Sequence, residues 1–349
     1  MKRIVICADG TWDRPEQRDR GRPTATNVAK FASAVLPQDR EGHTQIVYYH
    51  KGVGAKGGAW DWLTGGVLGD GIDENIEDAY LFLANNYEPS DELFLIGFSR
   101  GAYTARSLAG LIRNSGILKR TSLNLYKQAY DLYRDRDPNM HPRAPRALQF
   151  RRAYAWPDAQ IRFIGVWDTV GSLGIPVPAL RFWNKRRYEF HDVSLSTQVR
   201  FAYQALAIDE RRGPYMPTLW TKQLDALKDQ VLEQAWFPGT HDDVGGGCAQ
   251  TGLSDGGLTW MCDRAARSGL MMDLTAIRGG DADAPIHKSQ NVLYELLGDG
   301  TRTPGATNPK GFESIHRSAV ERREHDGSYG GKPLAAFMAQ QPTPPVSVP

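Results

Sequence analysis

Residues 93–109 read LFLIGFSRGAYTARSLA. The apolar run at residues 93–96 predicts a buried strand, and the small and apolar residues after Ser99 predict a helix. The Gly-x-Ser-x-Gly motif from Gly97 to Gly101 therefore lies at a strand-to-helix junction, the context that a nucleophile elbow requires. Glycines on both sides remove the side chains that would collide in so sharp a turn. We interpret Ser99 as a candidate nucleophile, with a structural turn serine as the alternative.

The composition excludes several classes of function. The 349-residue chain has a formal charge of +2, so no overall basic field favours nucleic acid as a partner. Its three cysteines, Cys7, Cys248 and Cys262, form no Cys-x-x-Cys pair, so neither a zinc site nor a disulfide framework is expected. The apolar stretch at residues 4–8 is shorter than a signal-peptide core or a membrane span. We expect a soluble protein made in the cytoplasm, with export by a specialised secretion system as an open alternative.

Apolar runs alternate with helical patterns along the chain, which is typical of a parallel sheet covered by helices. The predicted strands cover residues 4–8, 45–49, 93–96, 161–167 and 234–237, and the predicted helices cover residues 27–36, 73–85 and the segment after Ser99. We predict one α/β domain at residues 1–335, with a mostly parallel central sheet and helices on both faces. Insertion or lid segments are expected at residues 52–71, 119–160 and 174–230. The proline-rich residues 336–349 predict a tail without regular structure.

A serine hydroxyl becomes a good nucleophile only when a general base takes its proton and a third group orients that base. In α/β-hydrolases these partners follow the serine in the order carboxylate, then histidine, each just after a strand. Asp168 ends the predicted strand at residues 161–167 and is the candidate carboxylate. Aspartate at a strand end also often closes a turn or caps a helix, which is the alternative.

Eight histidines could serve as the base. His241 follows the last predicted strand, in a loop that has glycine at Gly239 and again at residues 245–247, and it is our candidate. His316 and His325 compete because they lie late enough in the chain. His316 is the weaker candidate, since the sequence around it predicts the start of an exposed helix.

An oxyanion hole needs two backbone N–H donors. The amide of Arg100, directly after the candidate nucleophile, supplies the first. Gly10 or Thr11 would supply the second if the strand at residues 4–8 lies beside the strand that carries Ser99. A simple tight turn is the alternative interpretation of this glycine.

Two other binding sites can be considered. Residues 52–57 spell Gly-x-Gly-x-x-Gly after a strand, but no helix follows that could present its N-terminus to a pyrophosphate. A metal site could form from Asp9, Asp168, Asp242 and Asp243, but no histidine spacing supports it. We therefore expect no cofactor and no metal.

Two segments bear on the substrate. Residues 52–71 contain Trp60, Trp62 and many glycines, which predicts a mobile flap over an acyl pocket. Residues 178–188 mix aromatic and basic side chains, as helices that rest on anionic lipid surfaces do. Transient contact with a membrane surface is one interpretation of this segment, and an ordinary solvated helix is the other.

Four segments of the chain together resemble one family. They are DGTW at residues 9–12 with TNV at residues 26–28, GFSRGA at residues 97–102, WDTVG at residues 167–171, and FPGTHDDVGGG at residues 237–247. The family is the uncharacterised α/β-hydrolase domain family that includes type VI secretion phospholipase effectors of the Tle1-like kind. The resemblance covers most of the chain, from about residue 3 to about residue 325, and the order of the motifs makes it more specific than the elbow alone.

The resemblance implies an α/β-hydrolase fold and a catalytic triad of Ser99, Asp168 and His241. It also implies a serine esterase of the phospholipase A type that acts on a lipid or small ester, with an immunity or secretion partner. The chain departs from larger effectors in having no evident appended domain. A soluble carboxylesterase and a non-catalytic binding module on a hydrolase fold remain as alternatives.

Overall fold

The computed structural model describes residues 1–10, 18–19, 22–52, 66–135, 137–170, 194–288, 300–305, 312–339 and 346–347. Its central sheet contains eight parallel strands: β1 (Arg3–Ala8), β2 (Gln45–His50), β3 (Glu92–Phe98), β4 (Ile161–Trp167), β5 (Val199–Ala207), β6 (Val231–Phe237), β7 (Glu313–His316) and β8 (Val346–Ser347). They lie in the order β8-β7-β6-β5-β4-β3-β1-β2. The direction of winding reverses between β1 and β3. In such sheets ligands bind outside the carboxyl ends of the strands at this reversal.

The described helices surround the sheet. They are α1 (Asn27–Ala34), α2 (Gly66–Asn86), α3 (Arg100–Ser115), α4 (Tyr126–Arg134), α5 (Pro145–Tyr154), α6 (His241–Gly245), α7 (Gly252–Arg267), α8 (Arg317–His325) and α9 (Gly331–Ala339). Short 3₁₀ turns occur at Arg120–Leu125, Pro138–Met140 and Gly213–Tyr215. Two small antiparallel pairs join Arg18–Asp19 to Arg22–Pro23 and Ile117–Leu118 to Ala155–Trp156. Among the helices described, none combines the length and the apolar composition needed to span a membrane.

Both faces of the sheet are buried, as the residues of β1 show. Ile4 and Ile6 belong to one hydrophobic cluster with residues of α2 and α3. Val5 and Cys7 point the other way and belong to a second cluster with residues of α1 and α7. Successive side chains of a strand face opposite sides, so this alternation requires helices on both faces. The predicted α/β fold with a mostly parallel sheet is confirmed.

The segment predicted as an insertion at residues 174–230 contains a central strand. β5 pairs with β4 on one side and with β6 on the other. The central place of β5 could not be predicted from its sequence, because Gln204 is polar although it is fully buried. The Gln204 amide donates to Gln234 Oε1 at 3.2 Å and its carbonyl accepts from Thr169 Oγ1 at 2.7 Å. Side-chain hydrogen bonds thus allow a polar residue in the middle of the sheet.

The C-terminal region continues past the predicted boundary at residue 335. Helix α9 extends to Ala339, and its Leu334 and Phe337 pack with Trp236 and Ile315 in a third hydrophobic cluster. Beyond it, β8 pairs with β7. Helix α2 also begins at Gly66, seven residues before its predicted start.

Candidate active site

The turn at Ser99 has the strained geometry that the elbow motif predicts. Ser99 has φ 55° and ψ −118°, a conformation that residues with side chains rarely adopt. A Cβ atom on Gly101 would lie 2.0 Å from the Ala8 carbonyl oxygen, and one on Gly97 would lie 2.4 Å from the Gly101 carbonyl oxygen. The Ser99 amide donates to the Trp167 carbonyl at 3.1 Å, which ties the elbow to the end of β4.

The steric requirement at the elbow gives a first prediction. We expect Gly101→Ala to lower the free energy of unfolding by about 1–3 kcal/mol, because strand β1 must move to admit the added methyl group. Chemical denaturation measures this change. Gly279→Ala is the matched control, since a Cβ atom there meets nothing within 4 Å. Equal stability of the two variants would show that the elbow is not packed as closely as described.

Asp168 and His241 meet at the carboxyl edge of the sheet. Asp168 directly follows β4, which pairs with β3 so that Trp167 lies opposite Phe98. His241 begins the short helix α6, just after β6. Its Nδ1 lies 2.6 Å from Asp168 Oδ2, and both side chains are buried. Asp168 has a φ of 39°, so it shares the unusual backbone geometry of Ser99.

The elbow adjoins this pair through an aromatic contact. The ring of Phe98 lies 4.6 Å from the His241 ring, measured between centroids. Ser99, the next residue, is 9 % exposed. Within the described residues, no hydrogen bond joins the Ser99 hydroxyl to the imidazole; the His241 hydrogen bonds there go to Asp168 and Glu210.

Arg302 was not predicted from the sequence, yet it contacts the Asp168 carboxylate directly. Its Nη1 donates to Oδ1 at 2.6 Å and its Nη2 donates to Oδ2 at 3.0 Å. Burial alone raises the pKa of the Asp168 carboxyl. The charge of Arg302 and the hydrogen bonds from Arg302 and His241 outweigh burial, so this pKa lies well below its usual range. Asp168 is therefore ionised at neutral pH.

A second group of residues missed by the sequence analysis surrounds His241. The Tyr215 ring meets the imidazole edge-on, with 5.0 Å between centroids. The Arg212 guanidinium lies 3.7 Å from the centroid of the Tyr215 ring and pairs with Glu210 at 2.8 Å. Glu210 in turn accepts from the His241 amide at 3.2 Å. These contacts hold His241 through the ring of Tyr215 and through its own backbone amide.

Comparison with known proteins identifies the family of the chain. Residues 2–264 match the family described as "T6SS, Phospholipase effector Tle1-like, catalytic domain". The chain belongs to this family. The resemblance predicted from the four sequence motifs is thereby confirmed.

The chain spans half or less of the length of the proteins to which it is similar. The uncharacterized protein YEL023C of Saccharomyces cerevisiae is 29% identical over an alignment of 249 residues, and the match covers 63% of this chain and 34% of the yeast protein. An uncharacterized protein from Pseudomonas aeruginosa aligns with a TM-score of 0.42 and 15% identity, over 78% of this chain and 46% of that one. The Tle1 effector bound to the VgrG spike of the type 6 secretion system aligns with a TM-score of 0.38 and 19% identity, over 70% of this chain and 50% of that one.

Two of the proposed oxyanion donors of the Tle1-like domain, Gly10 and Arg100, follow strands that are neighbours in the sheet. β1 pairs with β3, as a second donor from the loop after β1 requires. The Gly10 amide donates to Asp9 Oδ1 at 2.9 Å in this structure, and Thr11 lies outside the described residues. Arg100 begins α3 directly after the elbow. The roles of Arg100, Gly10 and Thr11 therefore stay predictions.

The strand-end carboxylates are engaged with protein partners. Asp9 accepts from the hydroxyls of Thr26 and Tyr49, each at 2.6 Å. Asp243 accepts from the Thr240 amide at 2.9 Å and caps helix α6. These contacts and the ion pair of Asp168 engage the carboxylates of three of the four aspartates considered as metal ligands. In the part of the chain that the structure describes, Asp9, Asp168, Asp242 and Asp243 are not among the residues whose ligand atoms lie close enough together to hold a metal ion.

Three sequence features cannot be placed. Most of the glycine-rich segment at residues 52–57, most of the predicted flap at residues 52–71, and the predicted interfacial segment at residues 178–188 lie outside the described residues.

His316, the competing histidine, is buried and caps the start of the partly exposed helix α8, close to where the sequence predicts a helix to begin. It ends β7, stacks on Phe237 with 4.1 Å between centroids, and its Nδ1 accepts from the Ser318 amide at 3.2 Å. Burial and the charge of Arg264 lower the pKa of His316 to about 3.

This shift predicts how acid affects stability. The unfolded chain protonates His316 below its ordinary pKa of 6.5, whereas the folded protein protonates it only near pH 3. Unfolding therefore takes up a proton in this window, and stability falls as the pH falls, by up to about 1.4 kcal/mol per pH unit. We expect His316→Asn, which keeps a capping acceptor, to show a smaller fall between pH 6 and pH 4. Urea denaturation at both values measures it, with the exposed His325→Asn as control. Equal slopes in all three proteins would contradict the prediction.

Proposed function

We propose that the protein is a serine hydrolase that cleaves carboxylic ester bonds of phospholipids, with Ser99 as nucleophile, His241 as base and Asp168 as the orienting acid. The observation that carries this proposal is the juxtaposition of a strained Ser99 elbow with an Asp168–His241 hydrogen bond of 2.6 Å at one edge of the sheet. The family supports a phospholipase, since its model describes a phospholipase effector catalytic domain.

The hydrogen bond to Asp168 selects the tautomer of His241. An ionised carboxylate only accepts, so His241 must donate Nδ1–H to it, and in the neutral tautomer with this donor Nε2 carries no proton. Nε2 is then the nitrogen that can accept the proton of Ser99. Catalytic hydrogen bonds of this kind often tighten only when substrate binds, so we expect the contact between Ser99 and His241 to form in the complex.

The reaction proceeds in two halves. Ser99 Oγ forms a bond to the acyl carbon while its proton moves to His241 Nε2, and the carbonyl oxygen becomes an oxyanion. The Arg100 amide and a second amide, from Gly10 or Thr11, donate to that oxyanion. The tetrahedral species breaks its bond to the lysophospholipid oxygen, which takes the proton from His241. Water then attacks the acyl-enzyme by the same steps, releasing the fatty acid and restoring Ser99.

We infer the setting of this activity from the family description. A type VI secretion effector acts after export, so we infer contact with a membrane surface, which holds the substrate, and with a secretion or immunity partner.

Product analysis tests the proposed function. The protein is incubated with phosphatidylglycerol and phosphatidylethanolamine vesicles and, separately, with short-chain nitrophenyl esters, and products are identified by mass spectrometry. We expect fatty acid and lysophospholipid from the vesicles, and no product with Ser99→Ala. Hydrolysis of nitrophenyl esters alone would indicate a soluble carboxylesterase. A folded protein inactive on both substrates would support a non-catalytic module.

A further inference from the structure

Arg302 forms a two-pronged contact with the candidate catalytic carboxylate. Its guanidinium donates two nearly parallel hydrogen bonds, Nη1 to Oδ1 at 2.6 Å and Nη2 to Oδ2 at 3.0 Å. Both residues are shielded from solvent: Arg302 is 3 % exposed and Asp168 is fully buried. A planar fork of this kind fixes the plane of the carboxylate as well as its position, which a point charge would not do.

The remaining acceptor sites of Asp168 are also filled. Oδ1 accepts from the Ala207 amide at 3.2 Å, and Oδ2 is paired with His241 Nδ1 at 2.6 Å. With four donors around it, the carboxylate cannot rotate without losing at least one buried hydrogen bond. The direction in which Oδ2 meets the imidazole is therefore set by the contacts of Arg302 and Ala207.

Arg302 also connects the elements that surround the imidazole. Its Nη1 donates to the Ala207 carbonyl at 2.8 Å, at the end of β5, and its Nη2 donates to the Tyr215 carbonyl. Tyr215 is the residue whose ring meets His241 edge-on. One guanidinium thus joins the turn after β4, the end of β5 and the turn that packs against the base.

The segment that carries Arg302 is itself held in place. The Gly300 amide donates to the Arg211 carbonyl at 2.8 Å, and a Cβ atom on Gly300 would lie 2.8 Å from Gly213 Cα. This close backbone approach positions Arg302 beside the residues that contact His241.

We propose that Arg302 is a positioning residue for ester hydrolysis, which holds Asp168 and through it His241 in the orientation needed to take the proton of Ser99. This inference rests on the proposed function of these three residues. Arg302 also supplies a positive charge next to the pair. Removing that charge makes the Asp168–His241 pair, treated as one coupled unit, bind its proton more tightly.

The test compares two variants. Arg302→Met removes the positive charge and the two parallel hydrogen bonds to Asp168, whereas Arg302→Lys keeps the charge but not the pair of parallel hydrogen bonds. Arg151→Met is the matched control, because Arg151 is a buried arginine that donates to the carbonyls of Arg113 and Asn114 at the far end of α3. The full chain is labelled with a fluorophosphonate across a range of pH, and folding is checked by circular dichroism. Low-field ¹H NMR follows the His241 Nδ1 proton, assigned by its loss in His241→Gln.

We expect labelling to slow about 100-fold in Arg302→Met, the effect of misplacing a catalytic group by about an ångström. The pH of half-maximal labelling should rise, and the low-field proton should shift or vanish. Arg302→Lys should be about tenfold slower than the wild type, with less change in pH dependence. The control should match the wild type in all three readouts.

Unchanged labelling, pH dependence and NMR signal in folded Arg302→Met would overturn the proposal. If that variant does not fold, an Arg302→Lys protein that labels like the wild type would overturn it, because the fork would then be dispensable. Failure of the proposed function gives a different result: the wild type itself would not be labelled. The NMR signal would still report whether Arg302 holds the Asp168–His241 pair.

Discussion

Ser99→Ala is expected to lower kcat on the hydrolysed ester by about 10⁴-fold or more, with little change in KM. The hydroxyl forms the covalent bond in the proposed mechanism, and alanine offers no atom for this role. The rate that remains would come from the oxyanion donors and from substrate binding alone. The strained backbone at this position is a property of the turn, so the variant should fold as the wild type does. Initial rates at several substrate concentrations separate kcat from KM.

Ser33→Ala is the control for this prediction. Ser33 lies exposed on α1, and its hydroxyl donates only to the Ala29 carbonyl one turn earlier. It should keep full activity. If Ser99→Ala also kept it, the nucleophile would have to be another residue.

Asp168→Asn is expected to have two effects, a loss of about 10⁴-fold in kcat and a loss of about 3–5 kcal/mol in stability. The asparagine NH₂ group must take the place of either Oδ1 or Oδ2, and Arg302 donates to both positions. Either orientation therefore sets donor against donor at Arg302, and at the Oδ2 position the NH₂ group also faces His241 and favours its wrong tautomer. In both cases the buried guanidinium loses its counter-charge. Steady-state kinetics and urea denaturation measure the two losses.

Asp91→Asn provides the comparison. Asp91 is a buried carboxylate that pairs with Lys2 at the opposite, amino end of the sheet. Its replacement should lower stability without changing kcat. If the two aspartates gave equal losses of activity, Asp168 would have only a structural role.

The parts of the fold that could be predicted from the sequence are those with a local signal. The elbow could be found because its strand, its two glycines and its helix follow one another within 17 residues, and the structure gives Ser99 the strained turn that these residues require. Asp168 and His241 were predicted from their places after strands, since parallel strands bring their carboxyl ends to one edge. The structure contains the hydrogen bond between Asp168 and His241, whereas their role in catalysis stays a prediction.

The rest depended on contacts between distant parts of the chain. A buried carboxylate requires a positive partner, but nothing local distinguishes Arg302 from the other 41 lysines and arginines. No local pattern distinguishes Glu210, Arg212 or Tyr215 either. They surround His241 only once the turn after β5 is folded against it. Strand β5 was missed because the polar Gln204 interrupts its apolar run. The hydrogen-bond partners of Gln204 lie elsewhere in the chain: Gln234 on β6 and Thr169, the residue after Asp168.

The assignment of Ser99 and His241 can be tested by labelling the wild-type protein with a fluorophosphonate and locating the adduct by peptide mass spectrometry. We expect a single adduct, on Ser99, that is absent from His241→Gln. A folded protein that takes up no probe, or that carries it on a different serine, would contradict the proposed nucleophile and base.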